Sequence, residues 1–434
     1  MPDKHLPLRL YALLWLALVG LVFYSSYGLV NWLSALRAPV PEIAYDWERQ
    51  IPFLAWTILP YWTLNGFYAV AFFLCRSREE LHDYIRQLLA AQALAVLCFL
   101  LFPLQFSWGK PVTEGLSGWL FSSLAAFDQP YNQAPSLHII LTLIVGRFYW
   151  QRLPPRWRVP LLLWFALIAL SVLTTWQHHF IDIPTGALAG ALILWLFPGQ
   201  GRSPWHRMHH PTPGHIRWAA GYGVLAGALA CLSLPGGGWL WWLWPAVAFS
   251  LLAACYAVLG AQALQKQHHG RHSLAASLLL LPYLLVARLN MAYWLRRQPL
   301  SAAVTERLHI GSVLAARQHA LVLDTCAEYP ACGQWLQYHS VPMLDMVAPP
   351  AADLRRAADL LQQMLEQHAQ AVLVCCALGY GRSAAVLITW LLRHGGCADI
   401  DSALAQLRLV RPRVVLPDAT RAQIVLAWQQ EEGA

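Results

Sequence analysis

Charge is scarce in this sequence: Asp, Glu, Lys and Arg make up 12% of its 434 residues, about half of the roughly 25% usual for globular chains. That shortage excludes a chain solvated over its whole surface. The cysteines number nine, an odd count spread from Cys75 to Cys397, which excludes a disulfide-built scaffold. No Cys-x-x-Cys pair and no Cys/His ligand spacing occurs, so neither a metal nor a cofactor is expected. Internal repeats and low-complexity segments are also missing, which excludes a solenoid.

Apolar residues, by contrast, make up 58% of the chain, with 22 tryptophans. The excess belongs in lipid. Apolar stretches run from Leu10 to Val30, Phe53 to Leu74, Leu88 to Phe106, Leu137 to Trp150, Val159 to Thr175, Ile181 to Phe197, Trp218 to Leu234 and Trp239 to Leu259. Most are near bilayer-spanning length, which predicts eight membrane helices. The first follows Lys4 and Arg9 in the manner of a signal peptide, but it is too long and lacks a small-residue cleavage site, so it reads as an uncleaved anchor.

The formal charge of +8 resides in the membrane half. Residues 1–295 hold 18 Lys and Arg against 10 acids, whereas residues 296–434 hold 12 against 12. With the N-terminus inside, 14 basic residues fall on the inner loops and tail, and only Arg37, Arg49 and Lys110 on the outer ones. This is the positive-inside pattern, so the basic balance reports topology and no nucleic-acid partner is expected.

The expected architecture is an all-α polytopic membrane bundle followed by an α/β domain. Residues 1–50 form an anchor helix and loop, 51–200 a membrane domain, 201–300 further membrane helices and a connector, and 301–434 the α/β domain. In the connector, Leu274 to Leu295 carries Pro282, Arg288 and Asn290 around a short apolar core, which favours a segment lying along the inner membrane surface over the alternative, a ninth span that would put the α/β domain on the outer side. The α/β domain then lies in the cytoplasm, where thiols stay reduced. Leu321 to Leu323 and Ala371 to Val374 read as strands, Ala351 to Ala369 and Ser383 to Arg393 as helices.

Two constellations carry chemistry. In the membrane half, Pro135-Ser136-Leu137-His138 opens one helix, and His178-His179-Phe180-Ile181-Asp182 joins two others. Ionisable residues at membrane depth point to function. His178 and Asp182 share a helical face at i, i+4, so the carboxylate can hold one imidazole nitrogen protonated and leave the other free to attack. With His138 placed to protonate a leaving oxygen, the set suffices for phosphoryl transfer through a phosphohistidine. In the α/β domain, Cys376 and Arg382 stand with five residues between them, between a strand and a helix. Such a loop wraps backbone N–H groups around one phosphate at a helix N-terminus, where the dipole also favours a thiolate. Gly379 and Gly381 permit the turns, and Arg382 can grip two phosphate oxygens.

The first set resembles the type-2 phosphatidic acid phosphatase superfamily over roughly residues 50–200. That resemblance implies His178 as nucleophile, Asp182 as its partner, His138 as general acid, and Ser136 and Lys110 as phosphate contacts. Leu137 replaces the usual glycine, and Val172 stands where the phosphate-binding arginine would. The pattern thereby resembles the branch containing sphingomyelin and inositol phosphorylceramide synthases, which transfer a phospho-headgroup. The second set resembles the dual-specificity cysteine phosphatases over about residues 305–430. It implies Cys376 as nucleophile, Arg382 as phosphate clamp, Ser383 as the hydroxyl that helps expel the thiolate, and Asp345 as general acid. Leu308 to Ser312, Val322 to Asp324 and Arg411-Pro412 match further elements of that family, while Cys375 replaces the family's usual histidine.

The expected protein is a bacterial inner-membrane fusion of two phosphatase types. Its expected partners are membrane lipid phosphates and, as an alternative, a phosphoprotein. Two other readings are a headgroup transferase joined to a protein phosphatase and a lipid-phosphate sensor with degenerate sites.

Overall fold

A computed structural model describes residues 6–37, 39–199 and 203–429; Lys4 and Arg202, counted in the charge pattern, lie outside them. The chain forms two compact units. One is Met1–Ser203 with Pro235–Gly238, and the other is Pro204–Leu234 with Trp239–Ala434.

The first unit is helical: α1 Leu8–Ala35, α2 Ile58–Leu74, α3 Arg78–Leu101, α4 Gly115–Ala125, α5 Leu137–Arg152, α6 Pro155–Thr174 and α7 Asp182–Leu196. Helix α1 leaves Leu13, Leu14, Leu18 and Leu21 exposed, as a lipid-facing helix does. Helix α3 starts ten residues ahead of the expected stretch because Ser77 caps it, accepting from Glu80 N–H, with Glu79 and Glu80 in its first turn; both features favour a helix N-terminus.

Among the described residues, five helical segments are long and apolar enough to cross a membrane: Leu8–Ala35, Ala55–Leu74, Arg78–Leu101, Pro155–Thr174 and Gly237–Leu259. They coincide with five of the eight expected stretches. The other three stretches are helical but do not combine length with apolarity. Helix α5 has 16 residues and α7 has 15, so at 1.5 Å per residue each covers roughly 24 Å or less of a hydrocarbon core roughly 30 Å thick. Both begin at their polar site segments, which stay in loops instead of adding turns.

The second unit opens with α8 Pro213–Cys231 and α9 Leu243–Ala254, the latter ending in a π turn over Cys255–Leu259. Two further helices follow, α10 Leu274–Leu279 and α11 Leu281–Leu295. The stretch expected to lie along the membrane surface is thus two helices, parted at Leu280 just ahead of Pro282. Strands β1 Ser301–Thr305, β2 Leu308–Ser312, β3 Leu321–Cys326, β4 Gln337–Met343 and β5 Val372–Cys376 form one sheet in the order β1-β2-β5-β3-β4. Only the β1–β2 pair is antiparallel.

Helices α12 Ala351–Gln367, α13 Arg382–Arg393, α14 Ile400–Val410 and α15 Asp418–Gln429 complete the unit. One core joins Ile310, Leu323 and Val374 of the sheet to Leu354, Leu361, Leu387 and Leu391 of α12 and α13. A second core joins Val322, Leu373 and Cys375 to Met291 and Leu295 of α11. Both faces of the central strands are therefore buried, which explains why β3 and β5 read as continuous apolar runs.

Candidate active sites

In the first unit, helices α5 and α7 bring the predicted residues together. Gly186 of α7 allows the approach, since a Cβ there would lie 2.8 Å from both Ser136 O and Ile139 Cβ. Ser136 N–H donates to Asp182 O at 3.3 Å, and Ser136 Oγ caps α5 by accepting from Ile139 N–H. His178 Nδ1 lies 3.2 Å from Asp182 Oδ2, with both side chains buried. The same Oδ2 accepts His179 N–H at 3.0 Å. A carboxylate so placed holds the proton on Nδ1 and leaves Nε2 as the nucleophilic lone pair. His138 stacks on Tyr61 at 3.9 Å between ring centroids, and its Nε2 is buried without a protein partner.

Lys110 is also brought in, donating from Nζ to Gln177 Oε1 at 2.6 Å. Lys110, Gln177 and Asp128 line a cavity of about 250 Å³ whose wall includes Phe121 and Leu124. Burial pushes the Lys110 ammonium down to about 8, opposed by the charge of Asp128. Asp128 accepts the Tyr27 hydroxyl at 2.8 Å. Val172, at the position of the absent arginine, is buried with Ile58, Tyr61, Leu124 and Ile139.

Sequence reading missed Glu48. Its Oε2 pairs with His179 Nδ1 at 3.1 Å and accepts Phe180 N–H at 2.9 Å. Ser107 N–H, which can only donate, points at His179 Nε2 from 3.2 Å, so Nδ1 carries the proton. Of the adjacent histidines, His179 is held by Glu48 and Ser107, and His178 by Asp182.

In the second unit, β5 delivers Cys376 to the mouth of a loop that ends at the N-terminus of α13. Gly379 N–H donates to Cys376 Sγ at 3.2 Å, and Ser383 Oγ lies 3.3 Å from that sulfur. Gly379 has φ +78, and a Cβ there would meet the Gly311 backbone at 2.6–2.8 Å, so only glycine fits. Gly381 sits at φ −117 with open space where a Cβ would be, so its small size leaves room and no left-handed turn requires it. Arg411 braces the loop by donating to Leu378 O at 2.7 Å. Cys375 stands opposite Gly311 and Asp324 in the sheet. Burial and the Asp324 charge hold its thiol well above the usual cysteine range, so it stays protonated in the core.

Arg382 is buried and forks onto Glu328, Nη1 to Oε2 at 2.7 Å and Nη2 to Oε1 at 2.5 Å. It also donates to Met343 O at 2.8 Å and lies 3.2 Å from Asp345 Oδ1. Burial acts to raise the Glu328 carboxyl, but the Arg382 charge outweighs it and holds Glu328 at about 2. The Asp345 side chain is 47% exposed. Desolvation by the surrounding protein still raises its carboxyl above the ordinary range, with Glu328 adding and Arg382 opposing. Among the described residues, no three His, Cys, Asp or Glu side chains cluster as metal ligands would.

Comparison with known proteins assigns both regions. Residues 53–196 match the family model described as PAP2 superfamily, and residues 294–431 match that of the dual specificity phosphatase catalytic domain. Human DUSP28 is 21% identical, with 30% of this chain and 94% of that chain covered at a TM-score of 0.27. Tk-PTP in its active form is 19% identical over 31% and 99% of the two chains, TM-score 0.27. PTPMT1 in complex with PI(5)P is 15% identical over 30% and 96%, TM-score 0.27. No curated protein shows a significant match to this chain.

Proposed function

We propose that this transmembrane chain, which joins a PAP2 superfamily domain to a dual specificity phosphatase catalytic domain, is a bifunctional phosphatase acting on lipid phosphates. The observation that carries the reading is that each nucleophile is already oriented, His178 by Asp182 at 3.2 Å and Cys376 by the Gly379 N–H at 3.2 Å.

At the histidine site, His178 Nε2 attacks phosphorus, the bond to the leaving oxygen breaks, and His138 supplies that oxygen with a proton. Water or an alcohol then attacks the phosphohistidine, gives its proton to His138 and restores His178. Lys110 and Ser136 contact the phosphoryl oxygens. At the thiol site, Cys376 Sγ attacks, the P–O bond breaks, and Asp345 protonates the leaving oxygen. Water attacks the phosphocysteine, Asp345 takes its proton, and orthophosphate departs from a thiolate that Ser383 stabilises. Arg382 clamps the phosphate, and Glu328 keeps the guanidinium in place.

The lipid assignment at the thiol site rests on its surroundings within one unit. Met291 and Leu295 of α11 pack into the catalytic core, while Leu285, Val286, Leu289, Tyr293 and Trp294 of the same helix are exposed. An apolar face fringed by aromatic residues suits a membrane interface. The reading places the chain in a bacterial inner membrane with the thiol domain in the cytoplasm, where Cys376 stays reduced; the distribution of basic residues supports it.

The test is the full chain reconstituted in bilayers, assayed with phosphatidate and with a phosphotyrosine peptide at equal ester concentration. Faster phosphate release from phosphatidate supports the proposal. Preference for the peptide, lost in Cys376→Ser, identifies a membrane-tethered protein phosphatase instead.

One observation favours a second reading at the histidine site. Val172 is buried in an apolar cluster, so that position offers no cation to the free phosphate ion, and transfer of a headgroup to an alcohol acceptor fits this site. Headgroup exchange on addition of diacylglycerol would support transfer, whereas release of inorganic phosphate alone would support hydrolysis.

A further inference from the structure

We propose that Tyr256, in the last turn of the Gly237–Leu259 membrane segment, is a positioning residue that sets the general-acid loop of the thiol site. The inference rests on the reading of Asp345 as that acid. Tyr256 is 2% exposed, and its hydroxyl donates to the main-chain oxygen of Asp345 at 2.9 Å. A buried phenol keeps its O–H bonded, and this one spends it on the acid's own peptide group.

Two features show that the arrangement is specific. The helix departs from α geometry where Tyr256 sits, in a π turn over Cys255–Leu259 that ends at Gly260 with φ 74. Such turns re-aim side chains and concentrate at functional sites. On the loop side, Met346 adopts φ 60, a left-handed conformation that residues bearing a side chain rarely take without support. Support comes from two bonds to the residues just ahead of it. Arg382 holds Met343 O at 2.8 Å, and Tyr256 holds Asp345 O from the helical side.

Tyr256 is itself fixed. Its ring lies 5.4 Å from that of Tyr222, which stacks on Phe249 at 6.0 Å, while Tyr283 lies 6.2 Å from Phe249. This cluster transmits the position of α8, α9 and α11 to a loop whose acid must come within hydrogen-bond reach of the leaving oxygen. Without the Tyr256 bond the acid is misplaced while nucleophilic attack is not. The expected defect therefore grows as the leaving group becomes more basic.

The experiment compares kcat/KM of the full chain for p-nitrophenyl phosphate and phenyl phosphate in the His178→Ala background, so that only the thiol site acts, with that chain serving as wild type beside Tyr256→Phe and Asp345→Asn. This ratio reports steps through P–O cleavage and excludes phosphocysteine breakdown. Tyr256→Phe is expected to lower the phenyl phosphate value about tenfold, the effect of losing one hydrogen bond, and the p-nitrophenyl value less than twofold. Asp345→Asn should show the same skew, larger. If Asp345→Asn is skewed and Tyr256→Phe matches wild type, the positioning role is overturned and the acid assignment stands. If Asp345→Asn shows no skew, the acid assignment fails and takes the inference with it. Equal loss on both substrates in Tyr256→Phe marks a packing role only and overturns the proposal.

Discussion

Lys266 Nζ lies 2.5 Å from Asp324 Oδ2, and neither side chain is exposed to solvent. The same ammonium donates to Cys326 O at 2.7 Å. Asp324 also accepts the Tyr338 hydroxyl at 2.7 Å and the Cys326 N–H at 2.8 Å. Asp324 is paired with Cys375 in the sheet, one residue before the proposed nucleophile. A cation from the connector thus completes the polar core behind the thiol loop. Although burial acts to discharge Lys266, Asp324 keeps its ammonium above the ordinary lysine range.

Removing one member of such a pair strands a buried charge, at a cost of about 3–5 kcal/mol. Lys266→Met should therefore destabilise the thiol domain by that order, while Lys266→Met with Asp324→Asn should recover much of the loss. Denaturant unfolding followed by loss of aryl phosphatase activity measures both. A fragment beginning at residue 301 carries Asp324 without Lys266 and should unfold at lower denaturant than the full chain.

The Glu328–Arg382 fork makes a prediction about acid stability. The folded-state carboxyl of Glu328 is held down to about 2 against an ordinary 4.5, so its contribution is fully present above the unfolded value. It is lost as pH falls from about 4.5 toward 2. Between pH 5 and pH 3 the midpoint of thiol-domain unfolding should drop in the wild type and drop less in Glu328→Gln. That variant should start lower, because the buried guanidinium loses its charged partner. Parallel curves for the two proteins would rule out this linkage.

Asp345 makes the matching prediction for catalysis. Its carboxyl is raised above the ordinary range, and a general acid works only while protonated. The kcat/KM of the thiol site should fall as pH rises through that raised value. Asp345→Asn should lower the maximum by about a hundredfold and flatten this limb. A limb of wild-type shape in Asp345→Asn would assign it to another group.

Residues close in the chain were legible from sequence. His178 and Asp182 sit one helical turn apart, and Cys376 and Arg382 bracket one loop, so local spacing alone brought each pair together. The strands β3 and β5 announced themselves as buried apolar runs, whereas β2, Leu308–Ser312, was legible only through the family resemblance. Edge strand β4, Gln337–Met343, did not, because it mixes polar residues with half-burial. What stayed hidden are pairings across long separations: Glu48 with His179, Lys266 with Asp324, Glu328 with Arg382 and Tyr256 with Asp345. Each depends on how the chain folds back, and no periodicity encodes that. Lys266 in particular reads as one of the inner-loop cations that set topology, yet it lies fully buried in the phosphatase core.

The claim that two independent nucleophiles act in one chain is tested most directly by a matched set of variants. Phosphate release from phosphatidate and from p-nitrophenyl phosphate is measured for the full chain, His178→Ala, Cys376→Ser and the double variant in the same bilayers. The account predicts that each single variant keeps the activity of the other site and that only the double variant is inactive on both substrates. Loss of all activity in either single variant, or activity surviving in the double, would contradict it.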